Sequence, residues 1–367
     1  MKKIIQIIAI LSFSISFAQP SATYYNTATG TGYALKTQLK TIISAGYIDR
    51  GYAGLYTTYA TSDKDAGFTT GMGYENDNTV YDMYSENPTG NLNECNFVFI
   101  TDEDPGSGGT VECQYFNREH IIPQSVFNQV SPQRNDAHFV TPTDKKVNNV
   151  RGNDPHGNVA IATYTSQNGG KLGSSAVSGF SGVVFEPNPA FKGDIARMYF
   201  YFVTRYEANV AGYTYEMFNG TTGQSFTTPF LNLLLDWNAQ DPVSEFEIKR
   251  NNAIFARQNN RNPYIDNNSY VTSIWGLAPS QLRLSDFELN ANISIYPNPS
   301  SDNKINIISD VALDEINLIN INGQLIETIK NPVFENKSYS LENLPKGFYF
   351  LKLTSDNQSI TKKVIIN

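Results

Sequence analysis

All three histidines of the sequence, His120, His138 and His156, fall within a 37-residue stretch. The segment around them reads Tyr115-Phe-Asn-Arg-Glu-His-Ile-Ile-Pro-Gln-Ser125, then Asp136-Ala-His-Phe-Val-Thr-Pro-Thr-Asp-Lys-Lys-Val-Asn-Asn-Val-Arg151. Glu119 and the side-chain carbonyl of Asn148 are hard oxygen donors, the kind a divalent cation prefers. Two such ligands leave coordination positions for water and phosphate. An imidazole ordinarily titrates near neutral pH, so His120 could take a proton from an attacking water. Arg151 can grip a phosphate oxygen with two parallel N–H groups. This set suits phosphodiester hydrolysis, with the cation polarising the phosphate and stabilising the leaving oxygen. A Glu-His pair on a strand is by itself more often a structural hydrogen-bonding pair; Asn148 and Arg151 beside it make a site. His138 reads as a core or supporting histidine, and His156, in Asn153-Asp-Pro-His-Gly157, as a loop residue. Arg134, Arg197 and Arg261 read as phosphate contacts or as partners for acids.

The elements that would position these groups follow from local pattern. Cys113 to Ile121 has strand-like aromatic and β-branched content, stopped by Pro123. Adjacent residues of a strand point to opposite faces, so His120 need not be a ligand when Glu119 is. His138 to Val140 reads as a short second strand. Thr141, Pro142 and Asp144 resemble a helix start, with Thr141 as cap and Pro142 at the first helical position. The helix is expected to end near Gly152, with Asp144, Asn148 and Arg151 on one face. Strand, strand, helix is a ββα unit. Elsewhere, helical spacing of apolar residues appears at Ala34–Ile43, 191–209 and 225–258.

The whole chain bounds the setting. Lys2 and Lys3 precede an apolar run from Ile4 to Phe17 and a small-residue site at Ser16-Phe17-Ala18, the layout of a secretory signal peptide cleaved after Ala18. The run is too short to cross a bilayer comfortably, and no later stretch is apolar enough to span. Cys95 and Cys113 are the only cysteines; after export they are expected to form one disulfide, worth about 3 kcal/mol by loop entropy. The net charge is −8, and loss of Lys2 and Lys3 makes it more negative. Polyanion binders are usually basic, but a catalyst needs only a locally positive face, which a bound cation supplies. Near residue 287 the composition changes to short alternating strands separated by Asn, Asp, Ser, Pro and Gly. That is the pattern of a small β-sandwich.

At specific residues the chain resembles the endonuclease I family, a branch of the ββα-metal (His-Me finger) nucleases. The resemblance is carried by Asn117-Arg-Glu-His120 with Pro123, Asp136-x-His138, Pro142-Thr-Asp144 and Val147-Asn-Asn-Val-Arg151-Gly-Asn153. It extends to Asp82-Met-Tyr84, Gly193-Asp-Ile-Ala-Arg197, Trp237, Asp241-Pro242, Glu247, Arg250-Asn251 and Gln258-x-x-Arg261-Asn262-Pro263 with Asp266. It implies His120 as general base and Glu119 with Asn148 as ligands of Mg2+, with Mn2+ and Ca2+ as alternatives. The implied substrate is DNA and/or RNA, cut with little base specificity to leave 5′-phosphate and 3′-hydroxyl ends. Tyr296-Pro-Asn-Pro299, Lys346-Gly-Phe-Tyr-Phe-Leu351 and Lys362-Lys-Val-Ile-Ile-Asn367 resemble the C-terminal sorting domain of type IX secretion cargo. That tail implies passage across a bacterial outer membrane, then release or surface attachment.

The expected fold is therefore α+β: a mostly helical nuclease domain with a ββα-metal motif, followed by a small all-β sandwich. The expected divisions are a signal peptide at 1–18, the nuclease domain at 19–288 and the sorting domain at 289–367. The expected partners are the nucleic acid and the type IX secretion machinery, with a monomer as the simplest assembly. The rival readings are a phosphodiesterase of small esters and a surface adhesive or polysaccharide-binding protein. The adhesive reading leaves the Glu119/His120/Asn148 pattern unexplained.

Overall fold

The computed structural model describes residues 20–70, 73–88, 94–281, 292–355 and 358–367. The signal peptide expected at 1–18 and the boundary expected at 288/289 lie outside these residues. The chain divides into two compact units, Met1–Gly276 and Leu277–Asn367.

The first unit is built on α4 (Lys192–Arg205), preceded by α1 (Gly32–Ser44), α2 (Gly54–Ser62) and α3 (Lys145–Arg151). It is followed by α5 (Glu207–Val210), α6 (Thr228–Gln240), α7 (Glu245–Gln258), α8 (Pro263–Asp266) and α9 (Ser269–Trp275). The sequence pattern gave α4 one apolar stripe, but every residue from Gly193 to Thr204 is buried. A helix shielded on all sides must neutralise its polar groups internally. Arg197 does so through Glu247 at 2.5 Å and Asp194 at 3.3 Å. The same solution recurs for the buried Arg250 with Asp63 at 2.7 Å and the buried Arg261 with Asp266 at 2.6 Å. Ser244 caps α7 in a reciprocal box with Glu247, which ties the helix start to the ion pair beneath it.

Two small antiparallel sheets complete this unit. β1 (Phe116–His120) pairs with β2 (Val140–Asp144), placing Glu119 opposite Thr141 and His120 opposite Val140. The second sheet has the order β3 (Val159–Thr165), β4 (Lys171–Ser175), β5 (Val183–Glu186). Cys95 and Cys113, disulfide-linked as expected, lie in the long connection before β1.

The helix expected to open at Thr141 and Pro142 begins instead at Lys145. Residues 140–144 are held in β2 by five-residue pairing with β1, and Pro142 is tolerated because β2 has a partner on one side only. Asp144 takes over as the cap, accepting the Val147 N–H at 3.0 Å. At the far end Gly152 turns the chain out of α3 with φ +59°.

The second unit is all β. A three-stranded sheet, β10 (Ser338–Leu341), β7 (Ile305–Ser309), β6 (Ile293–Tyr296), and a four-stranded sheet, β12 (Gln358–Ile366), β11 (Gly347–Ser355), β8 (Glu315–Asn320), β9 (Leu325–Lys330), share one apolar core. Ile305 and Ile307 from one sheet and Ile316, Leu351, Leu353 and Val364 from the other alternate inward, as period-2 patterning requires.

Candidate active site

Asn117 and Glu119 lie two apart on β1 and share a face; Asn148 and Arg151 lie three apart on α3 and share a face. Two hydrogen bonds join these faces. Asn148 Nδ2 donates to Asn117 Oδ1 at 2.8 Å, and Arg151 Nη1 donates to Glu119 Oε1 at 2.7 Å. Three of the four residues singled out from the sequence, Glu119, Asn148 and Arg151, are thereby gathered. His120 lies on the reverse side of β1, linked to the group through its carbonyl, which accepts from Arg151 at 2.9 Å.

Glu119 is 2% exposed. Burial raises the proton affinity of its carboxyl, while the Arg151 guanidinium and the Tyr84 hydroxyl pull it back down. Both of those side chains donate to Oε1, Tyr84 at 2.9 Å. Oε2 is left as the carboxylate oxygen held by neither. Because the Asn148 amide nitrogen is occupied by Asn117, its carbonyl oxygen is the end without a side-chain bond. Two oxygens of this kind, one anionic and one neutral, fit a hard divalent cation.

Arg151 is 1% exposed and every N–H of its guanidinium is engaged. Nε donates to Asp154 O, Nη1 to Glu119 and His120 O, and Nη2 to Ile121 O at 2.9 Å and Tyr215 Oη at 3.4 Å. A phosphate grip by Arg151 would require some of these bonds to break. In this structure its work is to fix Glu119 and the carbonyls of 120 and 121 against α3.

His120 packs among the rings of Tyr52, Phe127 and Phe139. Its Nε2 meets the Arg134 carbonyl at 3.1 Å. A carbonyl can only accept, so Nε2 carries the proton and Nδ1 is the unprotonated nitrogen. Burial pushes the imidazole down to about 3, against the pull of the Arg134 and Arg118 carbonyls. The ring is neutral at neutral pH, as a proton acceptor must be.

Two arginines on the His120 side carry no ion pair among the described residues. Arg118 lies 3.8 Å from the Tyr52 ring and Arg134 lies 4.1 Å from it. Arg118 also stacks on Tyr56, and its buried Nε has no acceptor. Two guanidiniums on one ring leave N–H groups in need of an anion. Arg197 and Arg261, which shared the alternative roles read for Arg134, are instead the buried ion-pair partners described above. Arg118 was not singled out as a cation from the sequence, although it sits inside the Asn117–His120 motif.

Two further residues touch the ligand shell. His156, expected as a loop residue, is fully buried and joins Tyr84 Oη through Nε2 at 2.7 Å and Tyr199 Oη through Nδ1 at 2.9 Å. It does lie in a loop, and its burial has a simple cause: the loop's backbone is pinned beside β5 by the bridge between His156 and Phe185. Since Tyr84 donates to Glu119, His156 must donate from Nε2 to the Tyr84 oxygen. Burial, then Arg151, hold His156 well below the ordinary histidine range. Tyr84 belongs to the Asp82-Met-Tyr84 segment, the sequence signal that marks it. His138 lies in the core, donating to the Asn260 carbonyl at 2.9 Å, with burial pushing it down to about 4.

Comparison with known proteins follows the same residues. Residues 31–269 match the model of the endonuclease I family. Residues 294–367 match that of the secretion system C-terminal sorting domain. The chain is 34% identical over 276 residues to the extracellular ribonuclease of Bacillus subtilis, covering 71% of this chain and 83% of the relative. It is 33% identical over 267 residues to the extracellular ribonuclease of Bacillus amyloliquefaciens, covering 70% and 80%. Among solved structures, PorZ, a surface component of the type IX secretion system of Porphyromonas gingivalis, aligns with a TM-score of 0.19 at 10% identity, over 22% of this chain and 12% of that one.

Proposed function

Given that this chain belongs to the endonuclease I family and ends in a secretion-system C-terminal sorting domain, we propose that it is a metal-dependent endonuclease hydrolysing DNA and/or RNA with little sequence preference. It is a secreted or cell-surface protein, and no helix among the described residues is long and apolar enough to cross a membrane. Export by a signal peptide at 1–18, a nuclease domain at 19–288 and delivery of the 289–367 tail by the type IX machinery complete the reading.

The observation that carries it is the meeting of β1 and α3, where Arg151 and Tyr84 engage Glu119 Oε1 and Asn117 engages the Asn148 amide nitrogen, leaving Glu119 Oε2 and the Asn148 carbonyl for a cation. On this reading β1, β2 and α3 form a ββα-metal motif, and Glu119 and Asn148 hold Mg2+. The cation, when bound, supplies Lewis-acid stabilisation of charge on the phosphate and leaving oxygen. His120 Nδ1 takes the proton of the attacking water, with Nε2–H anchored on the Arg134 carbonyl so that the ring cannot turn away. Arg118 and Arg134 hold phosphate oxygens on the His120 side, in the geometry Tyr52 enforces. Arg151 acts as a positioning residue that keeps Glu119 ionised and fixed. Attack by water with departure of the 3′-oxygen leaves a 5′-phosphate and a 3′-hydroxyl.

Digestion of supercoiled plasmid and of unstructured RNA, with Mg2+ or with chelator, tests the reading. The His120→Ala variant is expected to lose about 10²–10⁴-fold in rate while still binding Mg2+. Asn148→Ala is expected to shift the Mg2+ response to higher concentration. Near-wild-type turnover by His120→Ala would remove it as the base, and an unaltered Mg2+ response in Asn148→Ala would remove that ligand.

A further inference from the structure

The connection between α2 and β1 gathers carboxylates that the catalytic reading does not use. One carboxylate oxygen from each of Glu75, Glu86 and Glu94 lies within 4.8 Å of the others. A single ion at about 2.4 Å from each oxygen spans such a group. Glu86 is only 4% exposed, and among the described residues none of the three forms an ion pair.

A separate observation points into the same place. Asp65 is 1% exposed; its Oδ2 accepts the Asn76 N–H at 2.8 Å, while its buried Oδ1 has no donor. Its carboxylate neighbours that of Glu75, and neither group, when ionised, can donate to the other. Leaving a buried anionic oxygen against another carboxylate is costly unless a proton or a cation lies between them.

We propose that Glu75, Glu86 and Glu94, with Asp65 alongside, form a second metal site that binds Ca2+. The donors are all oxygens and are rich in negative charge, which selects a hard cation. They come from separated points of one long connection, which suits the larger and less exacting coordination of Ca2+ over the strict octahedron of Mg2+. The site ties the segment around residues 65–77 to the turn at Asp82–Glu86. That turn carries Tyr84 to Glu119 and binds the Asp144 N–H through Asp82 Oδ2 at 2.6 Å. Its role is to brace the loop that supports the catalytic carboxylate.

Thermal unfolding of the full chain with CaCl2 or with chelator tests this, in wild type, Asn148→Ala, Glu86→Gln and the double variant Glu75→Gln/Glu94→Gln. Saturating Ca2+ is expected to raise Tm by roughly 5–10 °C in wild type. The rise should persist in Asn148→Ala and vanish in Glu86→Gln. The double variant alters only the two less buried ligands, so it decides the matter should Glu86→Gln not fold. Tb3+ luminescence excited through Tyr74, next to Glu75, should follow the same pattern. No Ca2+-dependent rise in wild type would overturn the proposal. So would a rise that survives the double variant, or one lost in Asn148→Ala but kept in Glu86→Gln, which would locate the ion at the catalytic site.

Discussion

Tyr84→Phe isolates the support of the candidate metal ligand from the ligand itself. The hydroxyl it removes donates to Glu119 Oε1 at 2.9 Å and accepts from His156 Nε2 at 2.7 Å. All three groups are buried. The lost bond to a carboxylate is worth about 1.5–3 kcal/mol, and the His156 N–H left without an acceptor costs about 1–3 kcal/mol. Part of this is offset because the hydroxyl no longer has to be buried, so a net loss of about 2–4 kcal/mol is expected. At about 2–4 °C per kcal/mol for a unit of this size, Tm should fall by roughly 5–15 °C. Loss of a group that orients a ligand typically weakens metal binding about 10–100-fold. The Mg2+ concentration for half-maximal RNA cleavage should therefore rise by that factor, while the rate at saturating Mg2+ changes little. A lowered Tm with a Mg2+ curve superimposable on wild type would refute the reasoning. Tyr84 would then be a core hydroxyl whose contact with Glu119 has no bearing on the site.

Two further outcomes follow from the same geometry. Arg118→Ala and Arg134→Ala should each raise KM for RNA more than they lower kcat, and each should reduce the log–log salt slope of binding by about 1; an unchanged slope would remove that residue from the phosphate contacts. Acid should destabilise the protein through its histidines. A folded-state value below the ordinary 6.5 means the folded chain takes the proton less readily, so the stability is fully present above about pH 6.5 and is lost as pH falls through the folded value. For His138, pushed down to about 4, denaturant unfolding at pH 7 and pH 4 should differ by about 3 kcal/mol from this residue alone. A His138→Asn variant with undiminished acid sensitivity would show that its burial is not the cause.

What could be read from the sequence was whatever local period determines. Alternation along β1 separates Glu119 from His120, and the i,i+3 spacing on α3 puts Asn148 with Arg151, so the grouping was legible before any coordinate. The helix start was not, because pairing of β2 with β1 is a contact between residues 20 or more positions apart and overrides the Thr141-Pro142 signal. Arg151 shows a second limit. Spacing says which face a guanidinium occupies, but not that three carbonyls, a carboxylate and a hydroxyl will fill all its donors. Tyr84 and His156 lie 35 and 37 residues from Glu119, and the Tyr52 ring lies 66 residues from Arg118 and 82 from Arg134. No periodicity links such partners; only the packed chain does.

The same sorting of arginines resolves how a chain of net charge −8 can act on a polyanion. Arg151, Arg197, Arg250 and Arg261 are buried and matched by Glu119, Glu247, Asp63 and Asp266. Removing one partner from such a pair costs about 3–5 kcal/mol, so these four cannot leave their acids to follow a phosphate. They are architecture, and their charge is cancelled on the spot. Arg118 and Arg134 differ: an aromatic ring orients them without neutralising them, and Arg118 keeps a buried N–H unfilled. On the proposed reading, Arg118 and Arg134 thus focus positive charge on the His120 side of β1. On that reading, a local focus of charge in a chain of net negative charge favours brief, salt-sensitive engagement at the reacting phosphate over tight wrapping of the polymer, and so favours release of the cut strand and repeated turnover.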